Sequence, residues 1–174
     1  MNDLRQKSAK IRLLILDVDG VLTDGKIYLL PDGGEMKVFN TLDGHGIKML
    51  QRNGIQVAII SGRDAPATKY RAEQLGIKHY YGGVSDKISA FNDLLRKTGL
   101  SAEVCAYMGD DLPDLPIMRA VGFSACPANA HNLIKQQAHF VSEYQGGNGA
   151  VRNLCDIILA AQNIADDDKK AFFA

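Results

Sequence analysis

Short strand-like runs alternate with stretches of helical pattern along most of this 174-residue chain. The first four runs are Leu13–Leu16, Gln56–Ile60, His79–Tyr81 and Val104–Met108, and the segments between them are long enough for a helix. Strands that alternate with helices are typical of α/β proteins with a mostly parallel sheet. We therefore expect a single domain over residues 1–174, built as a Rossmann-like three-layer sandwich with a protruding β-hairpin.

The same patterns and the helix caps predict the remaining elements. One helix is expected to begin at Asp43 and end near Gly54, another to cover Ala67–Leu75, and a third to run from Ser85 to Lys97. The alternation continues through Leu115–Ala120, Phe123–Cys126, Leu133–Gln137, Phe140–Ser142 and Val151–Ala161. Residues 164–174 are expected to form a mobile charged tail.

Composition argues against several classes of partner. Lys plus Arg and Asp plus Glu are both 20, so the net charge gives no reason to expect nucleic acid or an anionic membrane. No stretch approaches the roughly 18 apolar residues of a membrane span, and the N-terminal apolar stretch is too short for a signal peptide. Cys105, Cys126 and Cys155 lie among apolar neighbours, so we expect reduced core thiols in a cytoplasmic protein.

Polar side chains follow the strands at the edge where a parallel sheet binds its ligands. In chain order they are Asp17 and Asp19, Ser61, Lys87, and the pair Asp110 and Asp111. Each one alone is also explained by an ordinary turn, loop or helix cap. Carboxylates placed together repel one another unless a cation binds or some are protonated. Oxygen ligands of this kind suit Mg²⁺, so the sequence predicts a magnesium site.

The combined pattern resembles the haloacid dehalogenase superfamily of phosphatases, which use an aspartate nucleophile. The segment DVDGVLTD at Asp17–Asp24 is similar to the first motif of that superfamily. Ser61, Lys87 and the segment GDDLPD at Gly109–Asp114 are similar to its second, third and fourth motifs. The resemblance extends from about Ile11 to about Gln162, and it implies Mg²⁺-dependent hydrolysis of a phosphomonoester.

The resemblance also implies a role for each motif residue. Asp17 would attack phosphorus to form a phosphoaspartate, and Asp19 would act first as general acid and then as general base. Ser61 would bind a phosphoryl oxygen, and Lys87 would balance the charge between Asp17 and the phosphate. The implied metal ligands are the Asp17 carboxylate, the Asp19 backbone carbonyl and Asp110.

A β-hairpin is predicted over residues 26–39, because the alternating runs Lys26–Leu30 and Glu35–Phe39 flank the turn sequence Pro31-Asp32-Gly33-Gly34. The chain has no room for a cap domain between Asp17 and Ser61 or between Ser61 and Lys87. The apolar residues of the hairpin are too numerous for a ribbon exposed to water. We expect it to cover the site of a neighbouring chain in a homo-oligomer, and a hairpin folded onto its own domain is the alternative.

These features resemble a capless subgroup of the superfamily that acts on 3-deoxy-D-manno-octulosonate 8-phosphate, in lipopolysaccharide precursor synthesis, and forms tetramers through this hairpin. The resembling segments are FNTLDGHGIK at Phe39–Lys48, Ser61-Gly62-Arg63, Arg71 and GGNGAVR at Gly146–Arg152. The implied substrate contacts are Asp19, Asn40, Thr41, Leu42, Asp43, Gly44, Lys48, Arg63, Arg71 and Lys87. Guanidinium groups would suit the carboxylate of such a sugar acid. The subgroup has arginine at the positions of Leu42 and Lys48, so this chain departs from it there.

Three other functions compete with this interpretation. The nearest is a phosphatase for a nine-carbon sialic-type sugar acid 9-phosphate, which would use the same residues. A phospho-acceptor module of the receiver type is also an α/β protein with acidic residues at strand ends, but its acceptor aspartate follows a later strand. The third is an inactive scaffold of the same fold, which the presence of all four motifs argues against.

Overall fold

The computed structural model describes residues 2–163, so the predicted tail at 164–174 lies outside the described residues. The strands are β1 (Leu13–Leu16), β2 (Tyr28–Leu29), β3 (Glu35–Met36), β4 (Gln56–Ile60), β5 (His79–Tyr81), β6 (Cys105–Met108), β7 (Phe123–Cys126) and β8 (Phe140–Val141). The helices are α1 (Asn2–Ser8), α2 (Thr41–Arg52), α3 (Pro66–Leu75), α4 (Lys87–Thr98), α5 (Leu115–Ala120), α6 (Asn132–Gln137) and α7 (Ala150–Ala161). Short 3₁₀ turns cover Ala102–Val104 and Leu112–Asp114.

Six strands form one sheet in the spatial order β5-β4-β1-β6-β7-β8, and every neighbouring pair is parallel. The α/β fold with a parallel sheet is therefore confirmed. From β1 the chain builds β4 and β5 on one side, and then returns to place β6 on the other side. The strand order thus reverses beside β1, and ligands of open parallel sheets bind beyond the strand ends at such a point.

Both faces of the central strand are buried, as its continuous apolar run predicts. Leu14 and Leu16 pack into the core that includes residues of α2 and α7, whereas Leu13 and Ile15 pack into the core that includes residues of α4, α5 and α6. All four side chains are fully buried. Truncating one such leucine to alanine typically costs about 2–5 kcal/mol, so β1 is a rigid support for the residues that follow it.

Two predicted helix starts are wrong because another residue provides the cap. Asn40, rather than Asp43, caps α2: its side chain accepts a hydrogen bond from the Leu42 amide at 2.8 Å. Asp86, rather than Ser85, caps α4 through the Ser89 amide. Helix α1 was not expected from the sequence pattern.

Other sequence expectations concern single features. The hairpin is present as an antiparallel pair, β2 with β3, although its strands are shorter than predicted. The three cysteines are buried free thiols, as expected of core residues. Within residues 2–163, none of the helices is long and apolar enough to cross a membrane.

Candidate active site

Three carboxylates meet beyond the carboxyl ends of β1 and β6. Asp17, Asp110 and Asp114 each offer an oxygen atom, and these atoms lie within 4.8 Å of one another. Gly20 permits this approach: it has a φ of +86°, and a Cβ atom there would lie 2.0 Å from Asp110 Oδ2. A side chain at this position would displace the Asp110 carboxylate and strain a backbone conformation that favours glycine, which explains the glycine of the first motif.

Lys87, in the first turn of α4, lies between two of the carboxylates. Its Nζ atom is 3.0 Å from Asp17 Oδ2 and 2.7 Å from Asp114 Oδ1, and its side chain is buried. Asp114 is held in place from several directions. Its Oδ1 atom accepts a hydrogen bond from the Tyr107 hydroxyl at 2.6 Å, and its Oδ2 atom accepts one from the Asp110 amide at 2.9 Å.

The cluster has three carboxylates and one cation, Lys87, and burial together with this excess of negative charge raises the pKa values of two of the carboxylates. Burial, together with repulsion from Asp114, raises the pKa of Asp17 to about 7 despite the neighbouring Lys87. Burial and repulsion from Asp17 and Asp114 raise the pKa of Asp110 to about 7. Burial lowers the pKa of Lys87, but its two carboxylate partners outweigh that effect and the net shift is upward. An excess of clustered carboxylate oxygens fits a hard divalent cation such as Mg²⁺.

The cluster opens into a crevice of about 520 Å³ that also contains the other predicted catalytic residues. Asp19 and Ser61 line the crevice together with Asp17, Lys87 and Asp110. Ser61 is buried, and its Oγ atom accepts a hydrogen bond from the Arg63 amide at 3.3 Å. The structure therefore brings together five residues from four separate segments, as their positions at the strand ends predict.

The hairpin folds back over its own crevice through two side chains. Lys37 forms ion pairs with Asp19 and with Glu35, and Glu35 also pairs with Arg63. At Glu35 and Lys37 the hairpin therefore contacts its own domain, which was the alternative to covering the site of a neighbouring chain. Several apolar side chains of the hairpin stay exposed: Leu29 is 74% exposed, Val38 56% and Met36 47%.

Some predicted substrate contacts do not line the crevice and lie instead around the start of α2. Asn40 donates a hydrogen bond from Nδ2 to the Gly147 carbonyl at 3.2 Å. Arg71 donates to the Asn40 carbonyl at 3.4 Å and packs closely against Gly44. Thr41 and Leu42 are exposed on the same turn. Arg63 is the predicted substrate-binding arginine that lines the crevice itself.

The structure does not bring Asp43 or Lys48 to the crevice. Asp43 is buried, and its carboxylate accepts hydrogen bonds from the Arg152 amide at 2.8 Å and the Gly149 amide at 3.4 Å. Lys48 lines a different cavity of about 400 Å³, near Gly76 and the amino ends of β4 and β5. Asp43 therefore joins α2 to the start of α7, and Lys48 lies on the opposite edge of the sheet.

Four residues of the site were not singled out from the sequence: Asp114, Tyr107, Glu35 and Lys37. Asp114 belongs to the GDDLPD segment, so the fourth motif already contained it. Glu35 and Lys37 are two residues apart in the predicted strand Glu35–Phe39, and such residues share one face. That spacing predicts that the two side chains lie together, but it does not predict which part of the protein they contact. Tyr107 gave no signal, because it looks like an ordinary aromatic core residue.

Comparisons with known proteins agree with this geometry. A model of the haloacid dehalogenase-like hydrolase family matches residues 29–122. The chain is 49% identical over 167 residues to the 3-deoxy-D-manno-octulosonate 8-phosphate phosphatase KdsC of Escherichia coli K12, covering 96% of this chain and 89% of that protein. The crystal structure of the Yersinia pestis phosphatase of that name has a TM-score of 0.94 and 49% identity, and 95% of this chain and 90% of that chain are covered. The Moraxella catarrhalis phosphatase, solved with magnesium, phosphate and a KDO molecule, has a TM-score of 0.96 and 41% identity, with 99% of both chains covered.

Proposed function

The chain belongs to the haloacid dehalogenase-like hydrolases, and from that premise we propose that it hydrolyses 3-deoxy-D-manno-octulosonate 8-phosphate to the free sugar acid and phosphate. The observation that carries this proposal is the meeting of Asp17, Lys87 and Asp110 in one crevice, in a chain about half identical to phosphatases of that name. The reaction belongs to lipopolysaccharide precursor synthesis. A cytoplasmic location is part of the proposal, and the three free thiols support it.

Asp17 is the proposed nucleophile. Its carboxylate follows the rigid strand β1 and is held by Lys87, which neutralises part of its charge and leaves it accessible to the crevice. Attack on phosphorus gives a phosphoaspartate and releases the sugar hydroxyl. Magnesium, which Asp17, Asp110 and the Asp19 backbone carbonyl would hold, supplies positive charge that stabilises the phosphoryl oxygens.

Asp19 is the proposed proton carrier. It donates a proton to the leaving sugar oxygen in the first half of the reaction and accepts one from water in the second half. Ser61 donates a hydrogen bond to a phosphoryl oxygen, and Lys87 offsets the charge that accumulates between Asp17 and the phosphate. These groups come from different strand ends, so the sheet holds them in fixed relative positions.

Arg63 is the proposed contact for the sugar-acid carboxylate. It lies at the rim of the crevice, its side chain is 46% exposed, and its guanidinium group already pairs with the Glu35 carboxylate. A guanidinium group binds planar carboxylates through paired hydrogen bonds. Asn40, Thr41, Leu42, Gly44 and Arg71 would form the neighbouring part of the substrate pocket.

The proposal includes a homotetramer assembled through the hairpin at residues 26–39. Support comes from the apolar side chains that the hairpin leaves exposed: Ile27, Leu29, Leu30, Met36 and Val38. Large apolar side chains left exposed on one short segment favour a contact with another protein surface. A second copy of the chain is the occupant that we propose for it.

The function is tested by measuring release of inorganic phosphate from a panel of sugar-acid phosphates, with Mg²⁺ and with a chelator. We expect multiple turnovers with Mg²⁺, a higher kcat/KM for the eight-carbon acid than for a nine-carbon sialic-type acid, and no turnover with the chelator. A preference for the nine-carbon acid would reassign the substrate. A single stable phosphorylation without turnover would instead favour the receiver-type function.

A further inference from the structure

We propose that Lys37 is a positioning residue that holds the Asp19 carboxylate in the orientation required for proton transfer. This inference rests on the proposed function, because it assigns the hairpin a part in the same reaction. Lys37 reaches the crevice from the segment that follows β3, whereas Asp19 follows β1. The contact between them joins the hairpin to the sheet at the reacting centre.

The geometry around Lys37 is that of an enclosed ion pair. Its side chain is only 2% exposed, and its ammonium group contacts Asp19 Oδ1 and lies 2.8 Å from Glu35 Oε1. Glu35 is itself fixed by Arg63, so four alternating charges surround the mouth of the crevice. A long lysine side chain loses its rotamer freedom when it is buried in this way. The two carboxylates offset that loss and hold the ammonium group in one place.

The pairing makes the two oxygen atoms of Asp19 different from each other. Oδ1 is occupied by Lys37. For Oδ2, the structure over residues 2–163 shows a cation only at 3.9 Å, the Nε atom of Arg63, which is beyond hydrogen-bonding distance. Oδ2 is therefore the atom available to give or take a proton. When Oδ2 carries the proton, Oδ1 is a carbonyl oxygen and still accepts the hydrogen bond from Lys37.

The strand period explains why one hairpin can position Asp19 and also present an apolar surface. Glu35 in β3 and Lys37 directly after it both take part in the ion pairs at the crevice, as expected where the side chains of an extended segment alternate between two faces. Met36 and Val38 lie on the other face, where they are half exposed. Contacts at the apolar face thus leave Lys37 free to pair with Asp19.

A simpler role for Lys37 is to attract the phosphate dianion by its charge. Substrates with different leaving groups distinguish this role from the positioning of Asp19. An alkyl phosphate needs a proton on its departing oxygen, whereas p-nitrophenyl phosphate releases a stable phenolate. The ratio kcat/KM reports on the steps up to release of this group. A loss of positive charge lowers kcat/KM for both substrates alike, whereas a misplaced Asp19 lowers kcat/KM mainly for the alkyl phosphate.

The test measures kcat/KM for the eight-carbon sugar-acid phosphate and for p-nitrophenyl phosphate in the wild type, Lys37→Met, Lys37→Arg and Asp19→Asn. We expect Lys37→Met to lower the ratio of alkyl to aryl kcat/KM at least about 10-fold, below the ceiling of about 10²–10⁴ for loss of a general acid. Asp19→Asn should lower the same ratio further, and Lys37→Arg should restore part of it. Lys26→Met is the matched control, because Lys26 is an exposed lysine of the same hairpin.

The proposal would be overturned if Lys37→Met lowered kcat/KM equally for both substrates, or did not lower it for the alkyl phosphate. Thermal unfolding checks that each variant is folded, and Lys37→Gln replaces Lys37→Met if the latter does not fold. If the wild type does not hydrolyse the eight-carbon substrate, the proposed function fails on its own. The ratio is then measured with the alkyl phosphate of the panel that the wild type hydrolyses fastest.

Discussion

The ammonium group of Lys87 lies 3.0 Å from the Asp17 carboxylate, in a buried position where few cations are found without a partner. The pair joins the end of β1 to the start of α4. Asp114 completes it from the other side, at 2.7 Å. Lys87 is therefore the cation that pairs with both the proposed nucleophile, Asp17, and the neighbouring carboxylate of Asp114.

Removing Lys87 should impair both catalysis and stability. We expect Lys87→Ala to lower kcat by at least about 10², as for other groups that stabilise charge in the transition state. It should also lower the free energy of unfolding by about 3–5 kcal/mol, because the partner carboxylates stay buried without a cation. Phosphate release and urea denaturation measure the two effects. Lys97→Ala, at the exposed end of the same helix, should change neither by a comparable amount.

Magnesium should stabilise the protein more at higher pH. Burial and the neighbouring carboxylates raise the pKa of Asp17 and of Asp110 to about 7, whereas the unfolded chain keeps values near 4. The folded state therefore binds these protons more tightly, and its stability falls as the pH rises from about 4 to about 7. Mg²⁺ competes with the protons and relieves the repulsion, so its benefit is largest where both groups are ionised.

This predicts that Mg²⁺ raises the melting temperature more at about pH 8 than at about pH 5.5. Thermal unfolding with Mg²⁺ and with chelator measures the difference at each pH. Asp110→Asn removes one of the carboxylates, so the increase should be smaller at both values. An increase of the same size at both pH values would contradict the placement of the metal on these groups.

Asp43 should contribute to stability through α7. Its buried carboxylate accepts hydrogen bonds from the amides of Gly149 and Arg152 at the start of that helix. We expect Asp43→Ala to lower the free energy of unfolding by about 1–3 kcal/mol, because the amides lose a buried acceptor. Urea denaturation measures this. The exposed Asp156→Ala, which loses only a surface pair with Arg152, should cost less than about 1 kcal/mol.

The exposed apolar side chains of the hairpin should determine the oligomeric state. Leu29→Glu places a charge in the proposed contact between copies, where an unpaired charge is costly to bury. We expect the mass measured by sedimentation equilibrium to fall from four times the 18.9 kDa of one chain to a smaller assembly. Tyr70→Glu is the control, because Tyr70 is 64% exposed and belongs to α3 rather than to the hairpin. An unchanged tetramer in the Leu29 variant would place the contact elsewhere.

The parallel sheet could be predicted from the sequence because its strands are short apolar runs. The predicted β4, β5 and β7 have the observed bounds, and the predicted β6 begins one residue early. The helix caps were harder to predict, because Asn40 and Asp43 are both good capping residues. Asn40 is the cap because Asp43 is buried against α7 instead, and this contact joins residues that are distant in the sequence.

The site could be predicted where its residues follow strand ends, and not where tertiary contacts select them. Asp17, Ser61, Lys87 and Asp110 meet because the sheet brings their strands to one edge. Lys37 meets Asp19 only because the hairpin folds back, and a hairpin sequence does not specify which way it folds. Likewise, the fourth motif contains Asp114, but the sequence does not show that its carboxylate contacts Lys87 and Tyr107.

The most direct test of the mechanism is to trap the phosphoenzyme. Borohydride reduces an aspartyl phosphate to homoserine, and mass spectrometry of the digested protein identifies the residue that was modified. During turnover with Mg²⁺ and the eight-carbon substrate, we predict homoserine at position 17, and none there in Asp17→Asn or without substrate. Homoserine at another aspartate, or undiminished phosphate release by a folded Asp17→Asn variant, would contradict the assignment of Asp17 as nucleophile.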